Sequence, residues 1–235
     1  DHHLGVSGSV ANVPFRFSAG QTLAQGTIRS SYYRKTSFTG RIDPSLLDDR
    51  LNISLAASAN LANQSSPGGL NLPYYAAIAD PTSPVYVNND PAQGYTTGSM
   101  FLNPVAMIDK NDYLNNPEQF AVNMTADYRL QMIPGLRIGL MGAALGYADE
   151  TKEIIVPGGG MPIINGWITT LSESLKVRML EFSAGYSIPV EKIDGNLDLK
   201  AGYFTHWRGR ETSELTTDFT DPEMIYENYR STSES

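Results

Sequence analysis

The 235-residue sequence has no cysteine, which excludes disulfide frameworks, thiolate metal sites and cysteine nucleophiles while leaving the redox compartment open. Charge is sparse and of the wrong sign for a polynucleotide partner. Only 18% of residues are charged, and 17 Lys and Arg face 25 Asp and Glu for a net −8, whereas phosphate binding needs clustered cations. The three histidines, His2, His3 and His206, are too few and too scattered for a zinc or catalytic cluster. No apolar run reaches the roughly 18 residues of a membrane-spanning helix. A strand-built membrane protein is not excluded by this, because only alternate residues meet lipid, and the mean hydropathy of −0.26 is compatible with one.

What the sequence does have is alternation. In 120–132, Phe120, Val122, Met124, Ala126, Tyr128, Leu130 and Met132 alternate with Ala121, Asn123, Thr125, Asp127, Arg129 and Gln131. A period of two makes a strand with one apolar and one polar face. Leu51, Ile53, Leu55, Ala57, Ala59 and Leu61 repeat the pattern, as do Leu197, Leu199, Ala201, Tyr203 and Trp207. Further strands are expected over 2–10, 14–24, 35–46, 136–148 and 173–188. In the last, the phase moves from Leu175, Val177 and Met179 to Leu180, Phe182, Ala184 and Tyr186, which predicts a bulge.

Short and long connections alternate between these strands. Ala11 to Val13, Leu47 to Arg50, Ile133-Pro134-Gly135 and 189–196 are turn-like, as antiparallel hairpins require, whereas 63–117, 149–172 and 209–235 are long loops. The predicted fold class is therefore all-β: an antiparallel, up-and-down transmembrane β-barrel segment of about eight strands, with short periplasmic turns and long extracellular loops. Tyr128, Tyr147, Tyr186, Tyr203 and Trp207 are expected as interfacial aromatics. The polar faces are expected to turn Asp127, Arg129, Arg137, Lys176, Arg178, Asp198, Lys200 and Arg208 inward. Two alternatives share the alternation: a carbohydrate-binding β-sandwich, soluble or surface-attached, and a self-contained eight-stranded outer-membrane barrel.

The loop over 63–117 is too long to be idle in a compact fold. Its tyrosines, among them Tyr74, Tyr75, Tyr86 and Tyr95, stand with Phe101 and Tyr113 among Asn and Pro. Aromatic faces beside amides suit sugar rings or peptide backbones, because they combine flat apolar contact with directional hydrogen bonds. Tyr74, Tyr75, Tyr86, Tyr95 and, in the second loop, Trp167 are the candidate substrate contacts. A short helix is expected from Leu72 to Ala79, ended by Asp80-Pro81. Pro157-Gly158-Gly159-Gly160 lacks the following Lys and Ser or Thr of a phosphate loop and is expected as a hairpin tip. Asp109, Asn111, Asp112 and Asn115 offer oxygen ligands but lack the spacing of a calcium loop. No carboxylate pair, Asp109 and Glu118 included, has a spacing that signals acid-base work. No catalytic residue, metal or cofactor is expected.

Several stretches, in order, carry a family likeness: His3-Leu4-Gly5-Val6-Ser7-Gly8, Gly26-Thr27-Ile28, Thr39-Gly40-Arg41-Ile42, Leu47-Asp48-Asp49-Arg50-Leu51-Asn52-Ile53, Asp80-Pro81-Thr82-Ser83-Pro84-Val85-Tyr86 and Asn103-Pro104-Val105-Ala106. Over 2–148 the chain resembles the SusC/RagA-type TonB-dependent transporters of Bacteroidetes outer membranes. That resemblance implies a 22-stranded barrel around an N-terminal plug, importing an oligosaccharide or peptide with energy passed from the TonB complex through the plug. It also implies a SusD-like surface lipoprotein against the extracellular loops, the lipid bilayer around the barrel, and no enzymatic activity. The sequence shows no plug, no TonB-contacting segment and no terminal strand ending in an aromatic residue, so early barrel hairpins are expected.

Overall fold

The computed structural model describes residues 1–67, 71–96, 103–156, 166–190, 195–218 and 225–234, with side chains for all of these except Val190 and 225–234. Phe101 and the Pro157 to Gly160 run lie outside the described residues. All eight expected strands form. They are β1 (His2–Val10), β2 (Val13–Gln25), β3 (Tyr32–Ile42), β5 (Leu51–Ser65), β7 (Glu118–Arg129), β8 (Leu136–Ile155), β9 (Trp167–Val190) and β10 (Gly195–Asp218). A two-residue β4 (Ser45–Leu46), a short β6 (Asp112–Asn115) and β11 (Ile225–Glu234) join them in one antiparallel sheet.

Sequence neighbours pair throughout, which makes an up-and-down meander. Between β5 and β8 one strand position is filled twice. β6 pairs with the far ends of both, and β7 pairs with the rest. Asn116 and Pro117 break the strand between them, since proline has no N–H for the ladder, but the gap is bridged by the Asn116 N–H to Glu150 O and the Ala62 N–H to Pro117 O.

The turns explain themselves. Ala11 and Asn12 both have positive φ, the geometry of a two-residue hairpin turn. Gly135 sits at φ 90° in the β7 to β8 turn, where a Cβ would come within 2.5 Å of the Ser187 carbonyl oxygen. Only glycine fits there.

Two alternatives fail on this architecture. A sandwich needs two sheets that bury each other's apolar faces, but among the described residues there is one sheet, and the accessible surface is 15824 Å², against the roughly 10,400 Å² expected of a compact chain of this mass. A closed eight-stranded barrel fails because β1 and β11 each have a single neighbour among the described residues. Leu4, Val6, Phe17, Phe38, Phe120, Val122, Leu180 and Phe182 all stand exposed, and the pairing registers place them on one face. Along β9, Lys176, Arg178, Leu180 and Phe182 are exposed while Leu175, Val177, Met179 and Glu181 are half-buried. Crowding on one face and splaying on the other is what a curved sheet produces, so the apolar face is the convex, outer one.

Three expectations need correction. No bulge interrupts β9, whose register runs one-to-one against β8 and β10 over its whole length. The change of phase is instead a change of face: past the Arg178–Trp207 pair the outer surface turns polar, with Lys176, Ser174 and Glu211, and the apolar side chains Leu175, Val177 and Met179 move inside. Lys176 and Arg178 accordingly point outward, not inward, and Tyr147 shares the inner face with Leu175. The remaining inward assignments, Asp127, Arg129, Arg137, Asp198, Lys200 and Arg208, agree with the register. The loops are also shorter than expected, because β8, β9 and β10 run to 20, 24 and 24 residues and β11 pairs back over the supposed tail. Polar residues on both faces of these extensions hide them from a period-two search.

Candidate functional site

The long connection between β5 and β6 folds on its own terms. Helix α1 (Leu72–Ile78) and helix α2 (Pro104–Lys110) pack together around Leu72, Ala106 and Met107, each 3% exposed or less. The expected helix at Leu72 is there. Helix α2 was missed, although Asn103-Pro104 is its signal: the Asn103 carboxamide oxygen accepts from the N–H groups of Val105 (3.1 Å) and Ala106 (3.3 Å), and proline opens the first turn. The same side chain donates to the carbonyls of Val85 (2.8 Å) and Thr96 (3.1 Å). It therefore ties α2 to the segment that carries Tyr86 and Tyr95.

Those two tyrosines face each other across an isolated β-bridge with ring centroids 5.2 Å apart. The Tyr95 hydroxyl donates to Asp109, and Lys110 lies 5.6 Å over the Tyr95 ring. Tyr74 and Tyr75 form a second, edge-to-face pair at 5.5 Å on α1, and Tyr74 is 63% exposed. The structure thus gathers four candidate residues into one loop as two pairs. Trp167 does not lie in a loop: it opens β9, paired with Ile155 and Asp218, on the inner face by register.

Asp109 also receives the guanidinium of Arg29 from the β2 to β3 connection, so the long loop is latched to its neighbour. The other oxygen-bearing side chains of this region are occupied by protein donors. Asp112 accepts from Ser65 (2.8 Å), Asn115 accepts from Gln64 (3.0 Å) while its amide donates to Asp149 (2.7 Å) and Thr151 (2.8 Å), and Asn111 accepts from the Val156 N–H (3.3 Å). They diverge rather than converge, and among the described residues no group of three or more metal-ligating side chains forms. Asp80 caps its own turn. The Thr82 hydroxyl (2.7 Å), the Thr82 N–H (2.8 Å) and the Ser83 hydroxyl (3.1 Å) hold its carboxyl below the usual carboxylate range.

Below the loop, on the inner wall, an apolar patch of Leu145, Tyr147, Leu175 and Val177 lies beside Arg208 and Arg210. Arg210 is paired with Glu173 at 2.8 Å and Lys200 with Glu181 at 3.4 Å. This inner face is charged, with an apolar margin toward the loop.

No family model matches the chain. It is 33% identical over 181 residues to the TonB-dependent receptor SusC of Bacteroides thetaiotaomicron, a match that covers 66% of the chain and 18% of that receptor. Among solved structures, 98% of the chain superposes on 28% of a chain of the RagAB peptide importer in its closed-closed state, with a TM-score of 0.74 and 14% identity. A second structure of the RagAB peptide transporter gives 0.70 and 16% over the same shares. The chain therefore spans less than a third of the length of each of these relatives, and what it matches in the solved structures is the fold.

Proposed function

We propose that this chain, which belongs to the SusC/RagA type of TonB-dependent transporters, supplies outer-membrane barrel wall and substrate-side loops to a nutrient importer. The observation that carries the proposal is the continuous, exposed apolar outer face of a meander with short turns at one end and a folded loop at the other. Water does not tolerate such a face, whereas lipid does. On this reading the short turns are periplasmic and the loop with α1 and α2 is extracellular.

The nutrient is an oligosaccharide or a peptide. RagAB is a peptide importer, and the loop's paired tyrosines suit either ligand, since ring faces stack on sugars and on planar peptide groups alike. Tyr74 is the best placed, because its exposure leaves its ring free for a ligand. A SusD-like lipoprotein is the proposed partner over the extracellular end, and the charged inner wall, with Arg137, Asp198 and Lys200, is proposed to face a plug that couples to TonB.

The test uses the complete transporter with its partner. Tyr74→Ala is expected to lower the affinity for the transported oligosaccharide or oligopeptide while its abundance in the outer-membrane fraction stays constant. Unchanged affinity would return Tyr74 to a packing role, and recovery of the protein in a detergent-free soluble fraction would sink the barrel reading.

A further inference from the structure

Two concavities lie one above the other on the outer face of β1, β2, β3, β5 and β7. The lower is an apolar groove of about 570 Å³, floored by Ala19, Gly40, Ala57 and Ala59 and walled by Phe17, Phe38 and Phe120. Its floor is small for a reason that the geometry shows: the Phe17 ring lies so close over Gly40 that a Cβ there would be 2.9 Å from it. The upper concavity, about 640 Å³, is polar and is lined by Gln21, Gln25, Tyr32 and Arg34 with Leu23. Gln21 follows Ala19 on the outward face of β2, and Arg34 stands four residues above Phe38 on β3, about 13 Å along a strand.

Arg34 is the telling residue. It is exposed, its guanidinium lies 5.0 Å over the Tyr32 ring, and among the described residues it has no carboxylate partner. A guanidinium held over an aromatic ring, with no carboxylate to occupy it, has N–H donors free for an oxyanion. An unpaired cation above a greasy groove is complementary in shape and charge to one kind of ligand.

We propose that this face is a specific binding site for a phosphate-bearing membrane lipid of the outer leaflet, with acyl chain in the groove from Phe17 to Phe120 and phosphate on Arg34. The leaflet follows from the direction: Arg34 lies toward the β2 to β3 connection, the end that carries the long loops. The inference rests on the proposal that the apolar face meets lipid. A second outward Arg on an aromatic ring, Arg178 at 5.5 Å over Trp207, lies at the same margin of the apolar band beside β8 and β10, outside both concavities. It serves as the control.

The experiment is native mass spectrometry of the complete, delipidated transporter in detergent, titrated with diphosphoryl lipid A and with the same lipid after enzymatic dephosphorylation. One adduct is expected with the phosphorylated lipid, weakened about tenfold by Arg34→Gln and unchanged by Arg178→Gln. Ala59→Leu, which fills the groove without touching the cation, should weaken binding of both forms. Equal binding of the two lipids, or of the wild type and Arg34→Gln, would overturn the proposal, as would a dimer that holds the face against lipid. A protein that needs no detergent would instead defeat the membrane reading on which the site rests, so the two failures are distinguishable.

Discussion

The wall and the long loop solve opposite problems. Among the described residues the buried hydrophobic side chains are Leu72, Ala106, Met107 and Ile155, and three of the four belong to the loop, although the wall holds nearly all the strand residues. The loop is a small water-soluble fold with its own core, caps and helices. The wall has no such core among the described residues, and its order comes from a ladder of backbone hydrogen bonds whose apolar side needs another solvent. Stability in the wall should therefore depend on which face is touched, and stability in the loop on how deeply a side chain is buried.

The largest expected effect tests the wall. Met124 lies on the outer face between Leu55 and Gly142, and Asn123 lies on the inner face between Ala56 and Ala143. Met124→Arg should cost about 2 to 4 kcal/mol near a bilayer midplane, whereas Asn123→Arg should be mild. Denaturant titration of the complete protein folded into lipid vesicles measures both. Similar losses for the two would mean that the faces are equivalent and the solvent argument is wrong.

The next effect tests the loop. Met107 is 3% exposed on α2, which packs against α1, so Met107→Ala should destabilise the loop by about 2 to 3 kcal/mol through lost contacts and a cavity. The loss should be confined to residues 66–111 and appear as faster hydrogen exchange there, with the strands unaffected. Exchange that rises equally in β5 and β7 would show that loop and wall unfold together.

Much of the wall was legible because one-faced alternation is written at single-residue resolution: Phe120 to Tyr128 and Leu197 to Trp207 alternate wherever one side is apolar. The same rule failed where its cause was absent. Toward the loop end of β9 and β10 polar side chains stand on both faces, so Thr169, Thr170 and Ser172 carry no period and read as loop. In the loop, helices of seven residues are too short for a 3.6-residue period to declare itself. α1 was legible from the Asp80-Pro81 that follows it, and α2 was lost despite Asn103-Pro104. The site was legible as composition, in its tyrosines, but not as geometry, because the contacts of Asp109 with Arg29 and Tyr95 span residues far apart in sequence.

Smaller again is the cap. Asn103→Ala removes two acceptor contacts at the α2 N-terminus and two donor contacts to Val85 and Thr96. The expected cost is about 1 kcal/mol, with Asn103→Asp restoring the cap but not the donors. If alanine and aspartate cost the same, the tie to the tyrosine segment matters more than the cap. Protease susceptibility of the loop in the intact transporter reads this difference.

The smallest effect concerns the seam between the loop and the β2 to β3 connection. Arg29 is 63% exposed and Asp109 29%, so the pair is worth at most about 1 kcal/mol in water. Arg29→Gln should loosen the loop slightly at low ionic strength, and the difference from wild type should fade in about 1 M salt, where the screening length is only about 3 Å. Asp109→Asn should do more, because Asp109 also accepts the Tyr95 hydroxyl and holds the ring that packs on Tyr86. If both variants act through the latch alone, the double variant will match Asp109→Asn. If their effects add instead, Arg29 holds the loop through some other contact, and loop and wall are more independent than the latch suggests.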